Sequence, residues 1–155
     1  MIIRLSYASQ YMSTEQDLLE DLRAILVEAR HFNAEHDICG VLYYATGHFF
    51  QCLEGEEQQV KYIYEKIIQD TRHNVLKSFE IEAIEQRCFS QWSMKYAKPN
   101  TALQRFLNQQ DIAGFKPQNL AQTHLSEFII LLLQADSLSI NKTKNGKHRG
   151  YQNYF

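Results

Sequence analysis

Apolar residues along this chain recur with the period of a strand or of a helix, and the order in which these periods alternate limits the fold. Residues 2–8 alternate between the two faces of a strand, and a loop is expected at 9–12. An apolar stripe from Leu18 to Ala29 predicts a helix that begins at residue 13 or 14 and ends between 31 and 33. The same reasoning predicts strands at 38–44 and 48–54 joined by a turn at 46–47, a helix at 56–69, and strands at 76–85 and 92–96.

The resulting order, βαββαββ, is that of a ferredoxin-like α+β fold with a five-stranded mixed sheet. Right-handed connections place both helices on one face of that sheet. Helical patterns at 101–108 and 120–134 predict a cover for the other face, and the second is apolar nearly all round over 128–133, so it should be buried. We therefore expect a main domain at 1–97, capping helices at 98–136 and a solvated, basic tail at 137–155.

Charge and cysteine content exclude several classes of protein. Sixteen Lys and Arg side chains against eighteen Asp and Glu give a net charge of −2, which disfavours direct nucleic-acid binding. No apolar run approaches the roughly 20 residues that span a bilayer, and the amino terminus resembles no signal peptide, so a cytoplasmic protein is expected. Cys39, Cys52 and Cys88 form no disulfide pattern, and their spacing with His48 matches no zinc motif, so no metal site is expected.

Three polar residues fall on apolar faces of the predicted elements. Asn33 continues the buried stripe of the first helix, Gln51 lies between Phe49 and Leu53 on one strand face, and Tyr7 ends an apolar strand face. Unpaired buried groups of this kind cost about 1–3 kcal/mol each. Either they bond to one another and to the backbone, or they surround a flat heteroaromatic ligand with carbonyl and N–H edges.

The residues around these positions resemble the motifs of BLUF domains, which are flavin-binding blue-light sensors. The matching segments are Ser6–Ser9, the helix ending in Asn33, Ile38–Tyr44, Phe49–Glu56, Asp70–His73 and Phe89–Met94. Each motif is weak alone, but their order and spacing are specific, and the resemblance covers residues 1 to about 97. The remainder resembles the short BLUF proteins, which have capping helices and no fused effector domain.

The resemblance implies a flavin bound non-covalently between the two helices. FAD is the form expected, with FMN and riboflavin left open because they share its ring. Asn33 would hold the ring edge, with Ile25, Ala29, Phe49 and Met94 around the ring, while Arg30, Arg72 and His73 are candidates to meet the phosphates. Surface charge is the alternative interpretation of Arg30.

The resemblance also implies a photochemical mechanism. Tyr7 would supply an electron and a proton to the excited flavin, and Gln51 would rotate or tautomerise and change the hydrogen bond to the flavin C4 carbonyl. Trp92 and Met94, predicted to share a strand face with Tyr96, would relay that change to the sheet. The signal would then pass to a regulatory partner protein. A homo-oligomer is compatible with this interpretation.

Two positions depart from the family pattern, and they keep other functions open. Phe32 stands where many members have Asn or His, and Cys39 stands where Thr is usual. Phe32 leaves open a light-insensitive flavin-binding or protein-interaction module of the same fold. A small reductase or phosphohydrolase is disfavoured, because no nucleophile–base pair stands out, so a photoreceptor without turnover chemistry is expected.

Overall fold

The computed structural model describes residues 1–112 and 114–140. Its strands are β1 (Ile2–Tyr11), β2 (Cys39–Ala45), β3 (His48–Glu56), β4 (His73–Ser78), β5 (Glu82–Ala83) and β6 (Lys95–Tyr96). Its helices are α1 (Glu15–Glu35), α2 (Glu57–Ile67), α3 (Thr101–Gln109) and α4 (Leu125–Gln134), with 3₁₀ turns at Pro117–Asn119 and Gln122–His124.

The strands form one mixed sheet in the order β4-β1-β3-β2-β6, and the short β5 also pairs with β1. Only the pairing of β2 with β6 is parallel. Thr46 and Gly47 join β2 to β3 with φ of 47° and 82°, the left-handed conformations of a two-residue hairpin turn. The predicted α+β class, mixed sheet and hairpin are therefore confirmed.

Each face of the sheet is covered by a separate apolar layer. The layer under α1 and α2 contains Ile3, Leu5, Tyr7, Leu22, Leu26, Phe49, Leu53, Val60, Ile63 and Met94 among others. The layer under α3 and α4 contains Ala8, Val41, Tyr43, Phe50, Phe89, Leu103, Phe106, Leu125, Phe128 and Leu132 among others. The capping role predicted for the C-terminal helices is thus confirmed.

Two of the four helices in the described residues, α2 and α3, begin at a side-chain cap, whereas α1 and α4 do not. Asn100 Oδ1 accepts the Leu103 N–H at 2.9 Å and begins α3, and the Glu56 carboxylate accepts the Gln58 N–H at 2.8 Å and begins α2. Thr14 occupies the N-cap position of α1, but its hydroxyl donates to the Asp17 carboxylate instead of accepting a backbone N–H.

The edges of three predicted elements were wrong, and for β1 the cause is pairing across the sheet, which overrides local pattern. β1 continues through the predicted loop to Tyr11, since Gln10 and Tyr11 pair with β4. The predicted strand at 76–85 divides into β4 and β5, and between them Phe79 turns into the layer of α3 and α4. The predicted helix at 120–134 begins only at Leu125. Ile130 is 50% exposed, so one side of this helix contacts solvent and the helix is not buried on every side.

The predicted strand at 92–96 is also shorter than expected. Only Lys95 and Tyr96 pair with β2. Trp92 precedes the strand and packs against the layer of α3 and α4, whereas Met94 and Tyr96 lie in the layer of α1 and α2. The prediction that Trp92 shares their face was wrong, because strand alternation does not extend to a residue outside the strand.

The segment predicted as a solvated tail begins as part of the sheet. Ser137 forms an antiparallel bridge with Ala97, and the Leu138 N–H donates to the Tyr96 carbonyl at 2.7 Å. Leu138 and Ile140 pack against the layer of α1 and α2. The solvated-tail prediction was wrong for 137–140, and the rest of that tail, 141–155, lies outside the described residues.

Among the helices of the described residues, none combines the length and apolar character required to cross a membrane.

Candidate functional site

A cleft that opens to solvent lies between the sheet and its first two helices, with about 390 Å³ of empty space when that solvent is included, and we call it the Tyr7 cleft. Its walls come from β1, β2, β3, the start of β4, α1, the end of α2 and the turn that follows α2. They are Tyr7, Ile25, Ala29, Leu42, Phe49, Gln51, Ile67, Asp70 and His73. Six of these, Tyr7, Ile25, Ala29, Phe49, Gln51 and His73, are residues that the sequence analysis had singled out.

A chain of buried hydrogen bonds forms the polar wall of this cleft. Tyr7 and Gln51 are directly paired across β1 and β3, so both side chains extend from the same face of the sheet. The Tyr7 hydroxyl donates to Gln51 Oε1, and Gln51 Nε2 donates to the Met94 sulfur at 3.8 Å. A thioether is a weak acceptor, so the Nε2 side of the amide is held less firmly than the Oε1 side.

The Tyr7 phenol stays protonated under ordinary conditions. Burial raises its pKa well above the usual value, and the nearby Tyr64 and Asp70 raise it further. The Tyr7 ring also lies 5.4 Å from the Tyr64 ring and 6.0 Å from the His73 ring, measured between centroids. Tyr7 is therefore a neutral hydrogen-bond donor held among aromatic rings.

His73 closes one end of the cleft in a defined tautomer. Its Nε2 lies 2.7 Å from the Ile67 carbonyl oxygen, which can only accept, so Nε2 carries the proton. Its Nδ1 lies 2.9 Å from the Ser9 hydroxyl. Burial lowers the pKa of His73, which favours this neutral ring with Nδ1 accepting from Ser9.

Asn33 and Arg30 reach the backbone beside Met94, and neither lines the Tyr7 cleft. Asn33 is 1% exposed, and its Nδ2 donates to the Ser93 carbonyl at 2.7 Å. Arg30 is exposed, and its Nε donates to the Met94 carbonyl at 3.1 Å. The two side chains of α1 therefore anchor the segment that carries Met94.

Arg72 is paired with two carboxylates, one of which, Asp70, lines the cleft. Its Nε lies 2.9 Å from both oxygens of Asp70, and its Nη2 lies 3.0 Å from the Glu28 carboxylate. These carboxylates already balance the charge of Arg72, so its guanidinium is poorly placed to donate hydrogen bonds to a phosphate.

Behind the Tyr7 cleft, on the opposite side of the sheet, Trp92 stacks with a buried cation. Lys95 is 2% exposed, its Nζ lies 4.6 Å from the centre of the Trp92 ring, and burial lowers its pKa. The same Nζ donates to the Leu133 and Ala135 carbonyls at 2.8 and 2.6 Å. The segment from 92 to 96 thus contacts both layers, with Met94 facing Gln51 and Lys95 facing α4.

The sequence reasoning missed Leu42, Ile67 and Asp70 as lining residues. Leu42 and Ile67 were detectable in principle, since they lie on the inward faces of a predicted strand and a predicted helix. Asp70 follows α2 in a segment predicted as a loop, where periodicity carries no information about direction.

The side chains that line the cleft have the chemistry of a site for a flat heteroaromatic ring. Ile25, Leu42 and Phe49 supply apolar walls, while Tyr7 and Gln51 supply an edge of donors and acceptors. A flavin ring requires this combination, so the residues present fit it. No group of three or more metal-ligating side chains occurs within the described ranges.

The fold and the cleft define a class: small α+β domains with a ring-binding cleft between two helices and a mixed sheet. Residues 2–95 match the family described as BLUF, sensors of blue-light using FAD. The chain therefore belongs to the BLUF family, as its motifs had indicated.

Known relatives agree with this assignment. The structure titled BlsA ground state is 45% identical, superposes with a TM-score of 0.88, and is matched over 93% of this chain and 95% of that chain. The blue light- and temperature-regulated antirepressor BluF of Escherichia coli (strain K12) is 38% identical over 73 residues, which are 47% of this chain and 18% of that protein. Photoactivated adenylate cyclase subunit beta of Euglena longa is 35% identical over 94 residues, 60% of this chain and 11% of that protein. The matched region therefore spans less than a fifth of either curated relative.

Proposed function

We propose that this chain senses blue light through FAD bound in the Tyr7 cleft and signals by contact with a partner protein, without turnover chemistry of its own. The observation that supports the proposal is the buried chain from Tyr7 through Gln51 to Met94. Membership of the BLUF family supports the choice of light as the stimulus.

When bound, the flavin supplies blue-light absorption and an oxidising excited state. Tyr7 would supply an electron to the bound flavin, and its hydroxyl proton would pass to Gln51 Oε1, the atom that the hydroxyl already contacts. Gln51 would then rotate or tautomerise, because its Nε2 end is held by a weak acceptor, the Met94 sulfur. The changed amide would present a different hydrogen-bonding group to the ring edge.

The signal leaves the cleft through the segment that begins at Met94. A change at Gln51 Nε2 alters the contact with Met94, whose neighbour Lys95 binds the end of α4. α4 lies on the opposite face of the sheet, where a partner protein could detect its movement. The proposed partner is a regulatory protein.

The remaining binding roles are proposals of the same kind. Ile25, Ala29 and Phe49 would face the ring, and Asn33 would reach its edge after release of the Ser93 carbonyl. The phosphates would be met more readily by Arg30, which is exposed, than by His73, whose Nε2–H donates to the Ile67 carbonyl, or by Arg72, whose charge is balanced by Asp70 and Glu28. FAD is favoured by the family, while FMN and riboflavin would occupy the ring site equally well.

The deciding experiment is an absorption spectrum of the purified protein in the dark and after blue light. A flavin band that shifts slightly to the red and recovers in darkness supports the proposal. Protein that stays colourless after refolding with excess FAD would overturn it. Steady oxidation of NAD(P)H by the bound flavin would instead indicate an enzyme.

One observation favours a second candidate, a flavin-binding or protein-interaction module that does not respond to light. Phe32 replaces a polar residue common in the family, and its ring is buried and stacked on His36 at 3.8 Å. The polar contact expected there would be missing. A normal flavin spectrum that blue light leaves unchanged would support this candidate.

A further inference from the structure

The Tyr7 ring is flanked by a second phenol that the proposed mechanism does not use. The Tyr64 ring, on α2, lies 5.4 Å from the Tyr7 ring between centroids, and the two ring planes are inclined by 47°. Both rings pack in the apolar layer under α1 and α2, where Tyr7 is 3% exposed and Tyr64 is only partly buried. Two oxidisable rings are therefore in near contact, one in the cleft and one that reaches toward solvent.

The Tyr64 hydroxyl has a route by which a proton can leave the protein. It forms a hydrogen bond with the Ser78 hydroxyl, and Ser78 is exposed at the end of β4. Oxidation of a phenol releases its proton, so it requires an acceptor, which Ser78 and the adjoining solvent provide. The Tyr7 hydroxyl is different, because it is buried and donates to Gln51 Oε1. The proton of Tyr7 therefore stays within the site, whereas the proton of Tyr64 can be lost.

The other ring beside Tyr7 is a poor electron donor. His73 lies 6.0 Å from Tyr7 between ring centroids and is a neutral imidazole, which is harder to oxidise than a phenol. Trp92 carries a readily oxidised indole, but it lies behind the sheet with Lys95. Of the rings that contact Tyr7 in the described part of the chain, Tyr64 is thus the one able to supply an electron.

We propose that Tyr64 is a secondary electron donor that re-reduces Tyr7 after Tyr7 has given an electron to the light-excited flavin. One electron passes from the Tyr64 ring to the oxidised Tyr7 ring, and the Tyr64 hydroxyl proton leaves through Ser78 to solvent. Tyr7 recovers its own proton from Gln51 and is again a neutral phenol. The product is a neutral phenoxyl radical at Tyr64, and the electron remains on the flavin. This inference rests on the proposed function, because the flavin is the oxidant.

Illumination then has two outcomes that depend on which group restores Tyr7. When the electron returns from the flavin, the cycle closes and the absorption change recovers in darkness. When the electron comes from Tyr64, the flavin stays reduced, and Tyr64 must be restored by a reductant in solution, such as a thiol. Prolonged light therefore withdraws flavin from the reversible cycle at a rate that Tyr64 sets.

The test is radical trapping in the full chain loaded with FAD. The protein is illuminated under argon with 2-methyl-2-nitrosopropane, which adds to carbon atoms of phenoxyl radicals, and the adducts are located by mass spectrometry of peptides. Illuminated protein should carry the adduct on Tyr64, and protein kept in the dark should not. Tyr62 is the internal control, because it is 48% exposed but its ring lies 6.0 Å from Phe32, on a different side of α2.

Two variants separate this relay from other routes of oxidation. Tyr64→Phe keeps the ring but is much harder to oxidise, so it should retain flavin and the reversible red shift while losing the oxidised flavin band more slowly in prolonged light. Tyr62→Phe should lose the band at the wild-type rate. Tyr7→Phe should abolish the adduct on Tyr64, because the electron no longer has a path through the Tyr7 ring.

Three results would overturn the proposal. The first is an adduct on Tyr62 without one on Tyr64, which would show that labelling follows exposure. The second is an undiminished Tyr64 adduct in Tyr7→Phe, which would show oxidation by another route. The third is equal loss of the oxidised flavin band in Tyr64→Phe and wild type. Absence of any flavin band would contradict the proposed function and the relay together, whereas a reversible red shift without a Tyr64 adduct would contradict the relay alone.

Discussion

At the scale of single residues, the chemistry of the Tyr7 cleft depends on one amide held unequally at its two ends. Gln51 is 4% exposed and accepts from a phenol at Oε1, while its Nε2 meets a thioether. Burial keeps Tyr7 protonated, so the phenol donates and the amide must accept. The orientation of Gln51 is thus set by Tyr7, and loss of that donor would free the amide to turn.

Tyr7→Phe should retain bound flavin and abolish the light-induced red shift. The substitution keeps the ring among its aromatic neighbours but removes the electron and proton source and the donor to Gln51. The measurement is the absorption difference between dark and illuminated protein. Tyr43→Phe, the same change on the opposite face of the sheet, is the matched control and should shift normally. Normal photoconversion of Tyr7→Phe would remove Tyr7 from the donor role.

Gln51→Leu should also bind flavin without a light-induced shift. Leucine has a similar volume but no amide, so the hydrogen bond to the ring edge cannot change. The same absorption difference measures the effect, and Gln91→Leu at an exposed position serves as the control. A persistent red shift in Gln51→Leu would show that the switch lies elsewhere.

His73 should make the protein less stable in mild acid. Its pKa is lowered in the folded state by burial, so the unfolded chain binds a proton more readily. The His73 contribution to stability is therefore complete above pH about 6.5 and declines as the pH falls below that value. Urea unfolding at pH 8 and pH 5.5 should show a smaller loss for His73→Gln than for wild type. Equal losses in His73→Gln and wild type would contradict the prediction.

At the scale of elements, the segment from 92 to 98 holds the two layers together. Its backbone receives hydrogen bonds from Arg30 and Leu138, and the side chain of Lys95 binds the carboxyl end of α4. Cationic groups at a helix carboxyl terminus are favourable because they complement the helix dipole and the free carbonyls. This segment therefore fixes α4 relative to Met94.

Lys95→Met should lower the free energy of unfolding by about 1–3 kcal/mol, because two carbonyls of the α4 end lose their charged donor. Methionine keeps the length of the apolar stem, so packing changes little. Chemical denaturation measures the loss. Lys98→Met is the control, since the Lys98 side chain is exposed, and it should change stability by less than about 0.5 kcal/mol. Equal stability of Lys95→Met and wild type would show that α4 is not held through this contact.

At the scale of the whole molecule, the sheet is stable only with both faces covered. Phe128 of α4 packs against Phe50 of β3 with ring centroids 4.9 Å apart, and both are fully buried. The division at residue 97 that the sequence suggested therefore separates segments that share one sheet, as the bridge between Ala97 and Ser137 also shows. We expect the two segments to unfold in a single transition.

Phe128→Ala should destabilise the whole protein by about 3–5 kcal/mol, the usual cost of truncating a buried phenylalanine. The flavin spectrum of the folded fraction should stay unchanged, because Phe128 lies on the face opposite the Tyr7 cleft. Ile130→Ala on the same helix is the control: half exposed, it should cost little. A two-step unfolding curve, with loss of flavin separate from loss of α4, would show that the two layers are independent.

Local sequence pattern was enough to predict the first five elements in their order, the hairpin at 46–47 and the face on which Tyr7, Phe49 and Gln51 lie. These features follow from local periodicity and turn chemistry, which are encoded within a few residues. The motif order also identified the family, since each motif residue occupies a fixed place along the chain.

Which polar groups contact one another depends on how distant elements pack. The partners of Arg72 are Asp70 and Glu28, and the partner of Asn33 is the Ser93 carbonyl, 60 residues away in sequence. Nothing in the sequence near Lys95 predicts its contact with the end of α4. In the same way, the cleft lined by Tyr43, Leu107 and Phe115 exists because β2 and α3 face each other. Periodicity predicts the direction of a side chain relative to its own element. A contact also depends on the position of a distant element in the fold, and packing across the whole sheet sets that position.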